Sequence, residues 1–179
     1  GRAVLIVNRR GSTGYGQEFS DGVVADWGGA AYGDVMTGLD VALERFAFLD
    51  GERVAAAGAS YGGYMANWIA THSDRFKAII SHAGVFEMFA QYGSDIPFFL
   101  EHEMAGVPWT SEVVGKWSPA SYADALGRYR TPMLVTTGEK DYRVPYQQSL
   151  ALFSALQRQG VPSKLMVFPD AGHWILKPK

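Results

Sequence analysis

The chain has 179 residues, a formal net charge of −2 and 47% hydrophobic residues, which suits one globular domain with a sizeable core. Because the charge is near neutral, it provides no electrostatic basis for binding nucleic acid or an anionic membrane, and no apolar run approaches the roughly 18 residues of a membrane-spanning helix. Cysteine is absent, so disulfides, thiolate nucleophiles and cysteine-bound metals are excluded, while the redox compartment stays open.

The first part of the chain predicts a strand, a loop and a helix in that order. Residues 3–8 (AVLIVN) form a continuous apolar run, as expected of a parallel strand covered on both faces. Residues 9–22 are rich in glycine and serine and predict a loop. A helix is predicted from Asp34, a suitable N-cap, because apolar side chains then recur at three- and four-residue steps: Val35, Leu39, Ala42, Phe46 and Leu49.

The most informative pattern comes next. A short apolar run at 54–57 predicts a buried strand, residues 58–62 match G-x-S-x-G, and residues 64–70 suit a helix. A serine at the apex of a tight strand-to-helix turn is the context of a nucleophile elbow. The flanking glycines leave room where the chain reverses, and the turn aims the Tyr61 backbone N–H at whatever Ser60 attacks. The alternative is an ordinary glycine-rich turn.

The middle of the chain combines one regular strand with a long irregular cover. Residues 78–83 (AIISHA) predict another short buried strand. Residues 84–126 are rich in aromatic side chains and interrupted by Pro97, Pro108 and Pro119, so we expect short helices and loops that cover the sheet. A substrate pocket could form in this cover, although its aromatic side chains also suit a plain hydrophobic core.

The last part of the chain returns to the alternation of strand and helix. Residues 132–137 predict a strand, and residues 163–168 predict the last one. Between them lies an amphipathic helix closed by Gly160, with an apolar face formed by Leu152, Phe153 and Leu156. Strands that alternate with helices give a parallel α/β sheet. The sequence shows no internal repeat, low-complexity segment or linker, so we expect a single domain.

A serine hydroxyl becomes a good nucleophile only when an oriented base takes its proton. In elbow hydrolases the order along the chain is Ser, acid, His, and this rule sorts the four histidines, which are His72, His82, His102 and His173. Only His173 follows a late strand, in a small loop at the carboxyl edge of the predicted sheet, where catalysts of open α/β sheets lie. We therefore predict that His173 is the base and Ser60 the nucleophile.

The acid that orients the base must lie between Ser60 and His173 and must also follow a strand. Asp141 meets both conditions. Glu139 is the nearby alternative, whereas Asp170 is disfavoured because it lies too close to His173 in sequence to orient the ring. We predict Asp141 as the acid.

Four motifs carry a resemblance to a known family. They occur in order at residues 8–16 (NRRGSTGYG), 58–65 (GASYGGYM), 138–145 (GEKDYRVP) and 168–173 (FPDAGH). Together they resemble the catalytic domain of the prolyl oligopeptidase family, in particular its acylaminoacyl peptidase and dipeptidyl aminopeptidase branch. The resemblance covers essentially all 179 residues. It implies an α/β-hydrolase fold with a mostly parallel sheet flanked by helices, and it implies no cofactor and no metal.

By this resemblance the chain holds the catalytic residues but only part of the family's architecture. Ser60, Asp141 and His173 would form the triad, and the Tyr61 backbone N–H would be one oxyanion donor. The β-propeller, the first strands of the hydrolase domain with the second oxyanion donor, and the terminal helix are not found in the sequence. We therefore expect residues 1–179 to form one incomplete domain, truncated at both ends and cut from a longer protein.

The resemblance also implies which residues bind substrate. The pocket for the residue before the scissile bond would be lined by Tyr61, Val85, Met88, Tyr92 and Val144. Met88 departs from the tryptophan found at that position in some relatives. Arg143 matches a position where some members hold a substrate carbonyl, a role that suits the guanidinium fork.

Three functions are compatible with these patterns. The leading hypothesis is a serine peptidase that cleaves short or N-blocked peptides through an acyl-enzyme. A carboxylesterase acting on small esters is the alternative, since the same triad handles esters. The third hypothesis is a non-catalytic fragment, because an exposed sheet edge at residues 3–7 favours assembly. We expect a short peptide or ester substrate, no nucleic acid or membrane partner, and a homo-oligomer formed through that edge.

Overall fold

Four parallel strands form the sheet of the computed structural model, which describes residues 1–176. The strands lie side by side in chain order and are β1 (Ala55–Ala59), β2 (Ala78–His82), β3 (Met133–Gly138) and β4 (Ser163–Phe168). The four strands predicted from residue 54 onwards are thereby confirmed, each within two residues of its observed bounds.

The parallel register brings the carboxyl ends of all four strands to one edge of the sheet. One row of paired residues crosses the sheet near that edge: Ala59, His82, Thr136 and Met166. The segments that follow β1, β3 and β4 therefore begin at this edge. These segments contain Ser60, Asp141 and His173.

The helices of residues 1–176 are α1 (Gln17–Asp21), α2 (Ala30–Arg45), α3 (Tyr61–His72), α4 (Met88–Gln91), α5 (Pro97–Glu103), α6 (Asp124–Tyr129) and α7 (Gln147–Arg158). Short helices and loops occupy residues 84–126, which confirms the predicted irregular cover. Helix α7 is the predicted amphipathic helix, and Gly160 follows it with a φ of 66°, a left-handed conformation that favours glycine. None of these helices is long and apolar enough to cross a membrane.

Helix α3 lies at the centre of the hydrophobic core. Every residue from 63 to 71 is buried, and the helix packs on β1 and β2. Helix α7 packs on β3 and β4 and buries Leu152 and Leu156 completely. Because α3 begins immediately after Ser60, the position of the predicted elbow is fixed by the core.

Side chains alternate along the strands between a covered face and an open face of the sheet. Ile79 and Val135 belong to the buried core, whereas Ala57 is exposed and Ile80 is 42% exposed. The prediction that the strands at 54–57 and 78–83 are buried is therefore only half right. A short run of alanine and isoleucine has the same appearance whether one face or both faces of its strand are covered.

Residues 3–8 do not form the predicted strand. Val4 and Ile6 are 85% and 83% exposed, and an open groove of about 1470 Å³ is lined by residues 1–7, by β1, by parts of α2 and α3 and by Ser60. A strand needs a neighbour for its ladder of hydrogen bonds, and among the strands of residues 1–176 β1 pairs only with β2. On this side the edge strand of the sheet is therefore β1 and not residues 3–7, and on the other side it is β4.

Helix α2 begins four residues before Asp34, the predicted N-cap. The Ala30 N–H donates to the Asp26 carboxylate at 2.7 Å, so Asp26 supplies the acceptor expected of Asp34. Asp34 instead accepts three hydrogen bonds from Arg10, one from its backbone N–H at 2.9 Å and two from its guanidinium at 2.9 and 2.7 Å. The Arg10 guanidinium lowers the pKa of the Asp34 carboxyl. The loop predicted over residues 9–22, which also contains α1, is thus tied to α2.

Candidate active site

Ser60 occupies a strained turn between β1 and α3. Its φ of 57° and ψ of −117° are unusual for a residue with a side chain, and strain of this kind concentrates at functional sites. The Ser60 N–H donates to the His82 carbonyl at 2.9 Å, and the Ser60 carbonyl accepts from the Tyr64 N–H at 2.9 Å. Both ends of the turn are therefore held, one by β2 and the other by α3, as a nucleophile elbow requires.

The glycines around Ser60 are not all required for steric reasons. A Cβ on Gly58 would collide with the carbonyl oxygen of Gly62. A Cβ on Gly63 would lie 2.6 Å from the Gly84 Cα and 2.6 Å from the His82 carbonyl oxygen. A Cβ on Gly62 would meet no atom within 4 Å. The expectation that both glycines flanking the serine make room is thus right for Gly58 and wrong for Gly62, while Gly63 is an additional position that requires glycine.

Asp141 and His173 form a buried pair at the carboxyl edge of the sheet. His173 Nδ1 lies 2.8 Å from Asp141 Oδ2, and the His173 side chain is 10% exposed. Because a carboxylate can only accept, Nδ1 carries a proton, and in the neutral imidazole Nε2 is then the acceptor. The other oxygen, Asp141 Oδ1, accepts from the backbone N–H groups of Arg143 and Val144 at 3.0 and 2.9 Å. The carboxylate therefore cannot rotate away from the imidazole without losing hydrogen bonds.

The two acidic alternatives lie elsewhere. Glu139 is exposed, and its backbone N–H donates to the Phe168 carbonyl at 3.0 Å. The Asp170 side chain is 67% exposed, and one of its carboxylate oxygens lies 3.6 Å from Lys140 Nζ. Neither carboxylate occupies the position at His173 Nδ1 that Asp141 takes.

The other three histidines have separate surroundings. His72 stacks on Trp68 at the far end of α3, and burial lowers its pKa. His82 Nδ1 lies 2.9 Å from Thr136 Oγ1. His102 is exposed beside Glu103. These contacts agree with the choice of His173 as the base.

Tyr61 is the first residue of α3, so its backbone N–H lacks an acceptor within the helix and remains available at the elbow. Its side chain is held on two sides. The hydroxyl donates to the Trp27 carbonyl at 2.7 Å, and the guanidinium of Arg9 lies 3.9 Å from the ring centroid. Burial raises the pKa of the Tyr61 hydroxyl far above its ordinary value, so the group stays neutral.

The predicted pocket residues differ in exposure. Val85, Met88 and Val144 are 3%, 0% and 4% exposed. The Tyr92 hydroxyl, by contrast, donates to Glu101 at 2.6 Å in a partly exposed position. Val144 contributes its N–H to Asp141, which places this predicted pocket residue directly beside the Asp–His pair.

Arg143 is engaged by an acidic residue that sequence reasoning missed. Its Nε and one terminal nitrogen donate to the two carboxylate oxygens of Asp95 at 2.7 and 3.3 Å. Hydrogen bonding to Arg143 lowers the pKa of the Asp95 carboxyl, and both side chains are close to half exposed. Asp95 lies 48 residues before Arg143 in an irregular segment, so no periodicity in the sequence connects them.

The sequence also left three buried polar side chains unassigned. Asn67, Ser118 and Gln148 are almost completely buried, and each hydrogen bonds to the backbone of residues 85–88. A signal was present, because a polar side chain within an apolar helix such as α3 needs a buried partner. Its partner could not be identified without the fold.

A serine at a strained strand-to-helix turn, with a buried Asp–His pair at the same sheet edge, defines the α/β-hydrolase class. The model of the prolyl oligopeptidase family matches residues 1–179, and the chain belongs to that family.

Comparison with known proteins agrees. The chain is 39% identical over 182 residues to dipeptidyl-peptidase 5 of Schizosaccharomyces pombe, a match that covers 99% of this chain and 26% of that protein. The acylaminoacyl peptidase of Pyrococcus horikoshii superposes with a TM-score of 0.87 at 34% identity, covering 93% of this chain and 27% of that one. An acylaminoacyl peptidase in complex with Z-Gly-Gly-Phe-chloromethyl ketone gives a TM-score of 0.87 at 35% identity, with the same coverage of 93% and 27%. The chain therefore spans about a quarter of the length of these relatives.

Proposed function

We propose that this chain carries the catalytic centre of a serine peptidase, with Ser60 as nucleophile, His173 as base and Asp141 as the acid that orients it. The observation that carries the proposal is the buried Asp141–His173 pair at 2.8 Å, which lies at the sheet edge where Ser60 forms its strained turn. Membership of a family of peptidases supports the reaction class.

The reaction proceeds in two steps through an acyl-enzyme. His173 Nε2 takes the proton of Ser60 Oγ as the oxygen attacks the carbonyl carbon of the substrate, and the N–H of Tyr61 donates to the oxygen that becomes negative. The imidazolium then gives its proton to the leaving amine, and the amine departs. Water, deprotonated in turn by His173, hydrolyses the ester on Ser60. Asp141 stabilises the imidazolium and keeps the proton on Nδ1 throughout.

The proposed substrate is a short peptide with an apolar residue before the scissile bond. By the family resemblance, the apolar wall of this pocket would be formed by Val85, Met88 and Val144; all three side chains are buried, and the Val144 N–H donates to Asp141. A relative was solved with a chloromethyl ketone that carries phenylalanine in the terminal position, which agrees with an apolar pocket. Arg143 would hold a carbonyl oxygen further along the peptide, and Asp95 fixes the direction of its guanidinium.

Covalent labelling tests this proposal. A fluorophosphonate should modify Ser60 and no other serine, and Ser60→Ala should abolish both labelling and hydrolysis of aminoacyl p-nitroanilides, with a loss of several orders of magnitude. Hydrolysis of p-nitrophenyl esters without any cleavage of p-nitroanilides would instead indicate an esterase. Labelling that survives Ser60→Ala would show that the nucleophile is a different residue.

A further inference from the structure

Six backbone polar groups of residues 85–88, here called the pinned loop, are hydrogen bonded to side chains from other parts of the chain. Asn67 on α3 donates to the Val85 carbonyl at 2.9 Å. Ser118 accepts from the Met88 N–H at 3.0 Å and donates to the Phe86 carbonyl at 3.3 Å. Gln148 on α7 makes the other three of these hydrogen bonds.

Gln148 uses both ends of its amide on the pinned loop. Its Oε1 accepts from the N–H groups of Phe86 and Glu87 at 2.9 and 2.7 Å, and its Nε2 donates to the Glu87 carbonyl at 2.9 Å. The residue is 3% exposed and lies on the first turn of α7, directly after the loop that carries Asp141. Residues 141–148 thus connect the acid of the proposed triad to the pinned loop.

Backbone groups that are buried and paired in this way resist displacement, because each broken hydrogen bond leaves an unsatisfied polar group in the core. The pinned loop carries Val85 and Met88, which are 3% and 0% exposed and which form part of the proposed apolar wall. The position of that wall is therefore determined by buried polar contacts as well as by apolar packing.

We propose that Gln148 is a positioning residue that sets the size of the side chain accepted before the scissile bond. It acts through the pinned loop and does not touch the reacting atoms. This inference rests on the proposed function, since it concerns the pocket of that same site. Asn67 and Ser118 act in the same way, with one and two of the six hydrogen bonds.

Two substitutions of Gln148 separate hydrogen bonding from packing. Gln148→Met keeps a similar volume but removes all three hydrogen bonds. Gln148→Glu keeps the two bonds in which the side chain accepts, and it keeps the third only when the carboxyl is protonated, because an ionised oxygen would face the Glu87 carbonyl oxygen. If packing alone mattered, the methionine would be tolerated and the buried carboxylate would be the more harmful change. Gln147→Met is the matched control, because Gln147 is the exposed neighbour on the same helix.

The first measurement is steady-state hydrolysis of two p-nitroanilides that differ only in the residue before the scissile bond, phenylalanine or glycine. In Gln148→Met the KM for the phenylalanyl substrate should rise about tenfold, while kcat and the KM for the glycyl substrate should change less than about twofold. The tenfold rise corresponds to a loss of binding free energy equal to the net contribution of about one hydrogen bond. Gln148→Glu should retain most of the selectivity, and Gln147→Met should retain all of it.

The second measurement is amide hydrogen exchange of the pinned loop. Exchange at the Phe86 and Glu87 N–H groups should be slow in the native chain and in Gln147→Met, and at least about tenfold faster in Gln148→Met. If Gln148→Met does not fold, Ser118→Ala replaces it, with faster exchange at the Met88 N–H and a KM increase of about fivefold, in proportion to its two lost bonds.

The possible failures are distinguishable. If a fluorophosphonate does not label Ser60 in the native chain, the proposed function fails and the role of Gln148 in selectivity fails with it. If Ser60 is labelled but Gln148→Met keeps native selectivity or native amide protection, only the inference about Gln148 is overturned. Equal losses of kcat on both substrates in Gln148→Met would also overturn it, since they would indicate general damage to the site.

Discussion

At the scale of single residues, the carboxylate of Asp141 accepts hydrogen bonds from three donors, the backbone N–H groups of Arg143 and Val144 and the imidazole of His173. Asp141→Asn should preserve the fold but replace one acceptor oxygen by a donor, so that the imidazole adopts the wrong tautomer. By analogy with triad enzymes, turnover should fall on the order of 10⁴-fold. The measurement is kcat on an aminoacyl ester, with circular dichroism to verify folding.

Glu139→Gln is the control for that change. Glu139 is exposed and is not the residue bonded to His173 Nδ1, so its neutralisation should alter turnover by less than about threefold, as is usual for surface substitutions. A larger loss in Glu139→Gln than in Asp141→Asn would mean that the acid has been wrongly assigned.

Arg143 allows a second prediction at this scale. Its guanidinium is held by both oxygens of Asp95, yet both side chains are nearly half exposed, so the pair adds little to stability. Arg143→Ala should raise KM about tenfold for peptides that offer a carbonyl upstream of the apolar residue, and much less for simple esters. Arg128→Ala, which disrupts an exposed pair with Asp124 on α6, is the matched control. Equal effects on peptides and esters would contradict a role in substrate binding.

At the scale of secondary-structure elements, the elbow depends on close approach between its own backbone segments. Gly58→Ala should destabilise the chain by several kcal/mol, because the added Cβ meets a backbone carbonyl that cannot move without distorting the turn. Gly62→Ala should change the free energy of unfolding by less than about 1 kcal/mol, since the space beside Gly62 is open. Urea denaturation of the two variants checks both values. A more stable Gly58→Ala than Gly62→Ala would show that the elbow is packed differently.

Short-range signals explain which elements could be predicted from the sequence. The strands from β1 to β4 are short apolar runs bounded by glycine, proline or a following helix, and all four were predicted. The start of α2 was misplaced because its capping acceptor, Asp26, lies outside the apolar periodicity that marks the helix. Residues 3–8 have the composition of a strand, but a strand also needs a neighbouring ladder, and composition carries no information about that neighbour.

In the candidate site, too, local patterns in the sequence identify some residues and not others. The positions of Ser60, Asp141 and His173 could be predicted because each follows a strand and the chain order of such residues is restricted. The hydrogen-bond partners of Asp95 and Gln148 could not be predicted. The partner of Asp95 lies 48 residues away in the chain, and those of Gln148 lie up to 62 residues away. Long-range polar contacts of this kind depend on the packing of whole elements, and no local pattern encodes them.

At the scale of the whole molecule, the sheet presents two edge strands, β1 and β4, and an open face. Strand β1 pairs with β2 on one side, and its other side faces the groove that residues 1–7 line with exposed apolar side chains. Ala57 and Ile80 are exposed on the open face. Unpaired backbone groups at a sheet edge, next to apolar surface, are a template for pairing with another chain.

We therefore predict that the chain forms homo-oligomers through the open edge of β1. Sedimentation velocity over a wide range of concentrations should show dimers or larger species that dissociate on dilution. Introducing Ala57→Lys together with Ile6→Lys places two charges at the open face and in the groove, where an incoming strand would have to bury them, and should shift the equilibrium to monomer by a factor of at least about ten. Val41→Lys, an exposed apolar position on α2, is the control and should leave association unchanged. Fluorophosphonate labelling of Ser60 should persist in the monomeric variant, because neither substitution replaces a residue of the elbow turn or of the Asp141–His173 pair, even though Ile6 and Ala57 line the same groove as Ser60. A native chain that sediments as a monomer at every concentration would refute assembly through this edge.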